Sequence, residues 1–146
     1  MSQPNVELAL ALMPGAAVDL IPLVRDDGMW AAAAEGAAAL IHPEFEIVGT
    51  VIGTERAHVG IDGLREFLLD WLAPWDAYRS EVERTIDRGE RVFTTFRICG
   101  TRDGSAQELG GKAAWLWTIR EGKVARIIGY ADPTEALKAV GLARLL

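Results

Sequence analysis

GGKAAWLWTIREGKVARIIGYADPTEAL, from Gly110 to Leu137, is the stretch around which this 146-residue chain arranges itself. Two runs of β-branched and aromatic residues flank Glu121-Gly122, which reads as a two-residue hairpin turn. Asp132, Pro133 and Glu135 then bring three helix-start signals: an acidic cap, proline at the first helical position and a capping-box glutamate. The helix carries Ala136, Leu137 and Val140 and stops at Gly141. With a two-residue turn, Ile119 faces Val124, Leu116 faces Ile127 and Ala114 faces Gly129. Strand alternation then gathers Ala114, Leu116, Thr118, Ile127, Gly129 and Ala131 on one face. Trp115, Trp117, Arg126, Ile128 and Tyr130 fall on the other.

Upstream of the hairpin, Tyr78–Asp87 and Arg91–Thr101 read as strands joined at Arg88-Gly89, with a polar loop from Thr101 to Gly110. Before them come helices. Asn5–Met13 is ended by Pro14-Gly15, and Val18–Val24 is a short turn or helix interrupted by Pro22. Asp26 or Asp27 can cap a helix through WAAAAEGAAALI, with Trp30, Ala34, Ala37 and Ile41 on one face. Its alanines leave little polar surface, which predicts packing on both sides, and Gly36 predicts a close helix crossing. His42-Pro43 stops that helix. A weakly alternating strand, Glu44–Ile52, follows, then a loop or short edge pairing over Gly53–Gly60. Asp62 can cap a further helix, Gly63–Trp75, whose apolar stripe is Leu64, Phe67, Leu68, Trp71, Leu72 and Trp75. Helices followed by an antiparallel meander indicate an α+β fold, with helices covering one face of a curved sheet and leaving a pocket.

Composition excludes several function classes. Hydrophobic residues make up 50% and charged residues 25%, which are globular values. Against 21 acidic residues there are 15 basic ones, and the basic ones are scattered among carboxylates. Nucleic-acid binding needs a basic stripe to displace counterions, and there is none. No apolar run approaches the roughly 20 residues of a membrane helix. The start, MSQPNVELALALMPG, has no basic residue before its apolar part and includes Glu7, which argues against a secretory signal. Cys99 is the only cysteine, so no intrachain disulfide forms and a cytoplasmic location fits. HExxH and CxxC are absent, leaving no metal-ligand spacing. GSAQELGGK lacks both the glycine spacing and the Ser or Thr of a phosphate loop.

GLREFLLDWL, VERTIDRGERVFTTFR and AAWLWTIREGKVARIIGYADPTEALKAVGL together resemble the SnoaL-like branch of the nuclear transport factor 2-like superfamily, and HPEFE fits its first strand. The resemblance runs from about Asp26 to Leu142. It implies one domain over residues 1–146: an α+β cone, its curved antiparallel sheet wrapped around N-terminal helices, with a short C-terminal helix. It also implies a small, largely apolar ligand, no cofactor and a homodimer formed through the sheet. The family register turns the Ala114, Leu116 and Thr118 face toward the cavity. Trp115 and Trp117 are then left outside, where aromatic residues meet a partner. Members with known chemistry carry a carboxylate inside the cone, and the matching positions here are Gly129 and Ala114. Because this fold hosts isomerases, epoxide hydrolases, cyclases, dehydratases and binding modules, function must be argued from the site.

The expected pocket is Phe45, Phe67, Trp71, Trp75, Tyr78, Leu116, Thr118, Ile127 and Gly129. Trp71, Trp75 and Tyr78 suit a planar ligand at the mouth, although an aromatic stripe at helical spacing equally describes plain core. His42 and Asp132 are the catalytic candidates. As a base, His42 needs Glu46 or Asp70 within hydrogen-bond reach; otherwise it simply precedes the proline that ends a helix. Capping accounts for Asp132 fully, and Asp62 has the same status. Arg97, in the apolar run FTTFRIC, points outward or is buried against a carboxylate, and Cys99 is a small core hydrophobe. Two functions stay open: a cofactor-independent acid/base enzyme of isomerase, cyclase or hydrolase type, and a non-catalytic ligand-binding or dimerisation module. An inward carboxylate or histidine held by a second polar group separates them.

Overall fold

A computed structural model describes residues 3–49 and 57–130, with 132, 134 and 138. Its elements are α1 (Gln3–Leu12), α2 (Leu20–Arg25), α3 (Asp27–Ala37), β1 (Ile41–Gly49), β2 (His58–Val59) and α4 (Gly60–Leu72), then β3 (Trp75–Arg88), β4 (Arg91–Arg102), β5 (Leu109–Arg120) and β6 (Lys123–Tyr130). The strands form one sheet in the order β2-β1-β6-β5-β4-β3. All neighbours are antiparallel except β1 and β6, which run parallel. Register shifts at Trp75/Ala77 and Val82/Arg84 interrupt the β3–β4 ladder and bend the sheet. The helices lie in its concavity, giving the expected α+β cone. The predicted C-terminal helix falls outside the described residues, except that the Thr134 N–H donates to Asp132 at 2.9 Å.

The hairpin forms at the predicted turn but with a different register. Glu121 and Gly122 have φ of 55° and 73°, the doubly left-handed pair of a type I′ turn, so Arg120 faces Lys123 and Ile119 faces Val124. One step later Thr118 faces Arg126, which leaves Ala125 as an extra residue in β6. Beyond this bulge Trp117 pairs with Ile127, Leu116 with Ile128, Trp115 with Gly129 and Ala114 with Tyr130. A single inserted residue reverses which β5 face accompanies Ile127 and Gly129, because side chains alternate with period two. The expectation that Ala114, Leu116 and Thr118 face inward is thereby corrected. Trp115 and Trp117 are inside. Ala114 and Leu116 pack outside with Phe93 and Tyr130.

Several boundaries move for local reasons. Helix α3 ends at Ala37 in a tight 3₁₀ turn over Ala38–Leu40, so His42-Pro43 lies within β1 rather than ending a helix. The β1–β6 pairing skips from Ile41 to Glu46, across the proline that has no N–H to offer a ladder. Helix α4 begins at Gly60, putting Asp62 in its first turn rather than at its cap, and stops at Leu72 ahead of Pro74. Trp75 therefore opens β3 instead of closing the helical stripe. The caps of α2 and α3 are Asp19, which accepts from the Ile21 N–H at 2.9 Å, and Asp26, which accepts from the Met29 N–H at 2.8 Å. Arg65 ties this elbow to α4 by donating to the Val24 and Arg25 carbonyls and pairing with Asp27 at 2.8 Å. Arg97 points outward and pairs with Glu81 at 2.7 Å.

Predicted two-sided packing of α3 is also corrected: the helix has no buried residue. A Cβ added at Gly36 would meet nothing within 4 Å, so this glycine marks no helix crossing. Gly36→Ala is expected to raise unfolding stability by about 0.5–1 kcal/mol, through helix propensity alone. Chemical denaturation reads this directly, and a destabilised variant would show that the position needs glycine.

The turn residue Glu121 is held from β1. Nδ1 of His42 accepts from the Glu44 N–H at 3.0 Å, so the ring proton sits on Nε2, which donates to Glu121 at 2.8 Å. That hydrogen bond, above all, holds the exposed Glu121 carboxyl below its usual 4.5. A depressed carboxyl stabilises the fold above its unfolded pKa, and the effect is lost as pH falls through the folded value. Glu121→Gln should therefore lower the melting temperature near neutral pH, with the gap closing as pH drops below 4.5. A gap that stays constant in melts across that range would contradict the assignment.

Candidate functional site

Between the inner face of the sheet and the helices lies a cavity of about 320 Å³. Trp115, Trp117, Phe96 and Ile127 form its sheet wall. Opposite them α3 contributes only Ala33, Ala34, Gly36 and Ala37 below Trp30, while α1 adds Ala11 and Leu12, Met13 follows just after it, and α4 adds Leu64, Leu68 and Trp71. Small residues on the helix thus return the space that two inward indoles occupy. Among the described residues lining the cavity, none is Asp, Glu, His, Lys or Arg. Apart from indole N–H groups, the polar side-chain groups of this described lining are the hydroxyls of Tyr78 and Ser80, both on β3.

Tyr78 is fixed from two sides. The Trp71 Nε1–H donates to the phenol oxygen at 3.0 Å, and the Tyr78 backbone N–H donates to Asp19 Oδ1 at 3.1 Å. Burial pushes the phenol pKa up to about 12, outweighing the opposing effect of the Trp71 bond, so the group stays protonated at any ordinary pH. Trp117 Nε1 donates to Thr94 Oγ1 at 3.0 Å, whereas Trp115 Nε1 is buried with no partner among the described residues. The Trp115 indole fits because residue 129 is glycine: a Cβ there would lie 3.2 Å from Trp115 Nε1 and 3.1 Å from the Phe67 ring. Phe67 stacks on Trp71 at 5.6 Å, and Trp115 meets Trp71 edge-on at 6.2 Å. Such aromatic pairs prefer these offset and T-shaped arrangements.

The structure brings Phe45, Trp71, Tyr78 and Ile127 of the expected pocket residues to the cavity. Phe67 and Gly129 stand behind that lining, in contact with Trp71 and Trp115. Trp75 lies beyond Tyr78, edge-on at 5.3 Å, with the Arg102 guanidinium 5.2 Å over its ring. Leu116 and Thr118 are on the opposite side of the sheet, displaced by the Ala125 bulge. His42 is committed to Glu44 and Glu121 near the hairpin turn, and neither Glu46 nor Asp70 is its partner. Asp132 is exposed and accepts from the Thr134 N–H. Neither catalytic candidate reaches the cavity. Ser80 was legible as the alternation partner of Tyr78 two residues earlier. Trp115 and Trp117 carried no comparable signal, because nothing in KVARIIGY announces a bulge.

Among the described residues, no helix is long and apolar enough to cross a membrane. No curated protein matches the chain. Among solved structures, TerC co-crystallised with polyporic acid is similar at a TM-score of 0.64 and 22% identity, over 95% of this chain and 99% of that one. A nuclear transport factor 2-like protein from Burkholderia thailandensis E264 gives 0.63 and 18%, over 96% and 98%. A protein with a ketosteroid isomerase-like fold from Catenulispora acidiphila, in complex with trimethylamine, gives 0.56 and 13%, over 89% and 95%. At these identities the likeness establishes the cone fold. Residues 25–127 match the SnoaL-like domain, and the chain belongs to that family.

Proposed function

We propose that the cone binds a small, uncharged, largely apolar molecule and holds it without acid/base chemistry from a carboxylate or imidazole. The observation that carries this reading is an open cavity of about 320 Å³ whose described lining has no ionisable side chain other than Tyr78. Its volume sits at the lower end of ligand sites, ~300–1,000 Å³. An ionic ligand would lose its hydration there and gain no counter-charge, a cost that such a site cannot offset. An apolar ligand gains roughly 25 cal/mol for each Å² it removes from water. That TerC, a structural neighbour, co-crystallises with polyporic acid supports a ligand role for the cone.

Pairing of two copies through the sheet, expected from the resemblance, is a separate proposal. With the indoles turned inward, the outer face of β3, β4 and β5 offers the ion pairs Glu81–Arg97 and Glu83–Lys112. Such pairing should weaken with added salt, which sedimentation velocity can follow.

For the ligand reading, native mass spectrometry of protein from its own host should show a retained small molecule. A thermal-shift panel of apolar ketones, epoxides and lactones should include members that raise the melting temperature. Ligand at about 100 times Kd stabilises by roughly 2.7 kcal/mol. Ala34→Trp, which fills the cavity from α3, should abolish the shift while leaving the circular dichroism spectrum intact. A panel without any stabilising member would overturn the proposal.

A further inference from the structure

We infer that Tyr78 and Ser80 form a donor-bearing corner that selects a neutral carbonyl compound, with the carbonyl oxygen against β3 and the apolar body toward α3. This rests on the reading that the cone binds a small molecule, and adds which chemical class it takes and which way round.

The inference starts from hydrogen-bond accounting. A phenol has one hydrogen to donate and lone pairs to accept with. In Tyr78 the accepting side is engaged by Trp71 Nε1 at 3.0 Å, and no described residue takes the phenol hydrogen. Tyr78 is 2% exposed, so water at the protein surface does not serve it either. Ser80 is 3% exposed, and its hydroxyl likewise has no partner among the described residues. Both residues face the same way, since Tyr78 pairs with Gly100 and Ser80 with Ile98 at alternate positions of one ladder. Buried donors left unmade are costly, and the cavity is where these two can be satisfied.

The choice of partner follows from what else lines the space. A carbonyl oxygen accepts up to two hydrogen bonds and brings no hydrogen of its own. A ligand amine or amide N–H would turn the Ser80 hydroxyl into its acceptor and leave the Tyr78 hydrogen unmade, whereas a carbonyl oxygen takes the hydrogens of both. An ammonium or carboxylate would need a counter-ion that no described lining residue supplies. High burial keeps the phenol protonated, so it serves as a donor throughout the physiological range. The Asp19 and Trp71 bonds hold the ring in place before any ligand arrives, which lowers the cost of ordering it.

The test compares 9-fluorenone with fluorene, nearly the same shape with and without the acceptor. The wild-type protein should bind the ketone about tenfold more tightly, as expected for one buried hydrogen bond. The carbonyl stretch of bound fluorenone should move to lower wavenumber. Tyr78→Phe should lose most of the preference and move the stretch most of the way back to its value in an apolar solvent, and Ser80→Ala should reduce the preference by a smaller factor. Equal binding of both compounds to wild type, or a preference that survives undiminished in Tyr78→Phe, overturns the carbonyl assignment while leaving the cavity reading intact. If neither compound binds, both fall together. Should Tyr78→Phe fold poorly, the stretch in wild type and the Ser80→Ala comparison still decide.

Discussion

One extra residue in β6, Ala125, governs the interior of this protein. Strand alternation permits only two states for β5, and the residue count between the turn and Ile127 selects one of them. With Ala125 bulged, Trp115 and Trp117 share a face with Ile127 and Gly129. Without it the indoles would lie on the outer surface. The inward indoles, Trp117 buried and Trp115 partly so, remove a large apolar area from water, which is the driving force on this side of the choice. The bulge itself costs one unpaired position in the ladder, a smaller quantity.

What the indoles take up, α3 gives back. A helix of ordinary leucines opposite Trp115 and Trp117 would close the cone into plain core. Alanine at 33, 34 and 37 keeps it open. The aromatic wall stays ordered because its members brace one another: Phe67 behind Trp71, Trp71 on Tyr78, Thr94 on Trp117. Gly129 belongs to the same arrangement, for a methyl group there would press on both Phe67 and Trp115.

Local signals in the sequence were strong where chemistry acts over a few residues. The Glu121-Gly122 turn, the Asp26 cap and the β3–β4 pair around Arg88-Gly89 all follow from short-range rules. The α+β order and the family could be read from the same elements together with the matching motifs. Misreadings arose where a non-local fact decides. Trp75 was assigned to a helical stripe because its spacing fits, yet Pro74 and the β3 ladder claim it. Counting from the turn groups Leu116 and Thr118 with Ile127, and the family register turns that face inward, but the count is broken by an alanine indistinguishable from its neighbours. His42 was weighed against Glu46 and Asp70, which are near in the chain or on an adjacent helix. Its partner is Glu121, brought close by the β1–β6 pairing that no pattern in the sequence declares.

Helix α3 has no buried residue and joins α2 through the single residue Asp26, with Arg65 gripping the joint and lying 5.9 Å over the Trp30 ring. The two walls of the cone therefore differ in stiffness. The sheet wall is cross-linked by hydrogen bonds along its whole length, while the alanine wall is seated by few side chains. Displacing α3 therefore costs less than displacing a strand of the sheet, and far less than global unfolding. Any change in the width of the cone falls on its alanine side, not on its indole side.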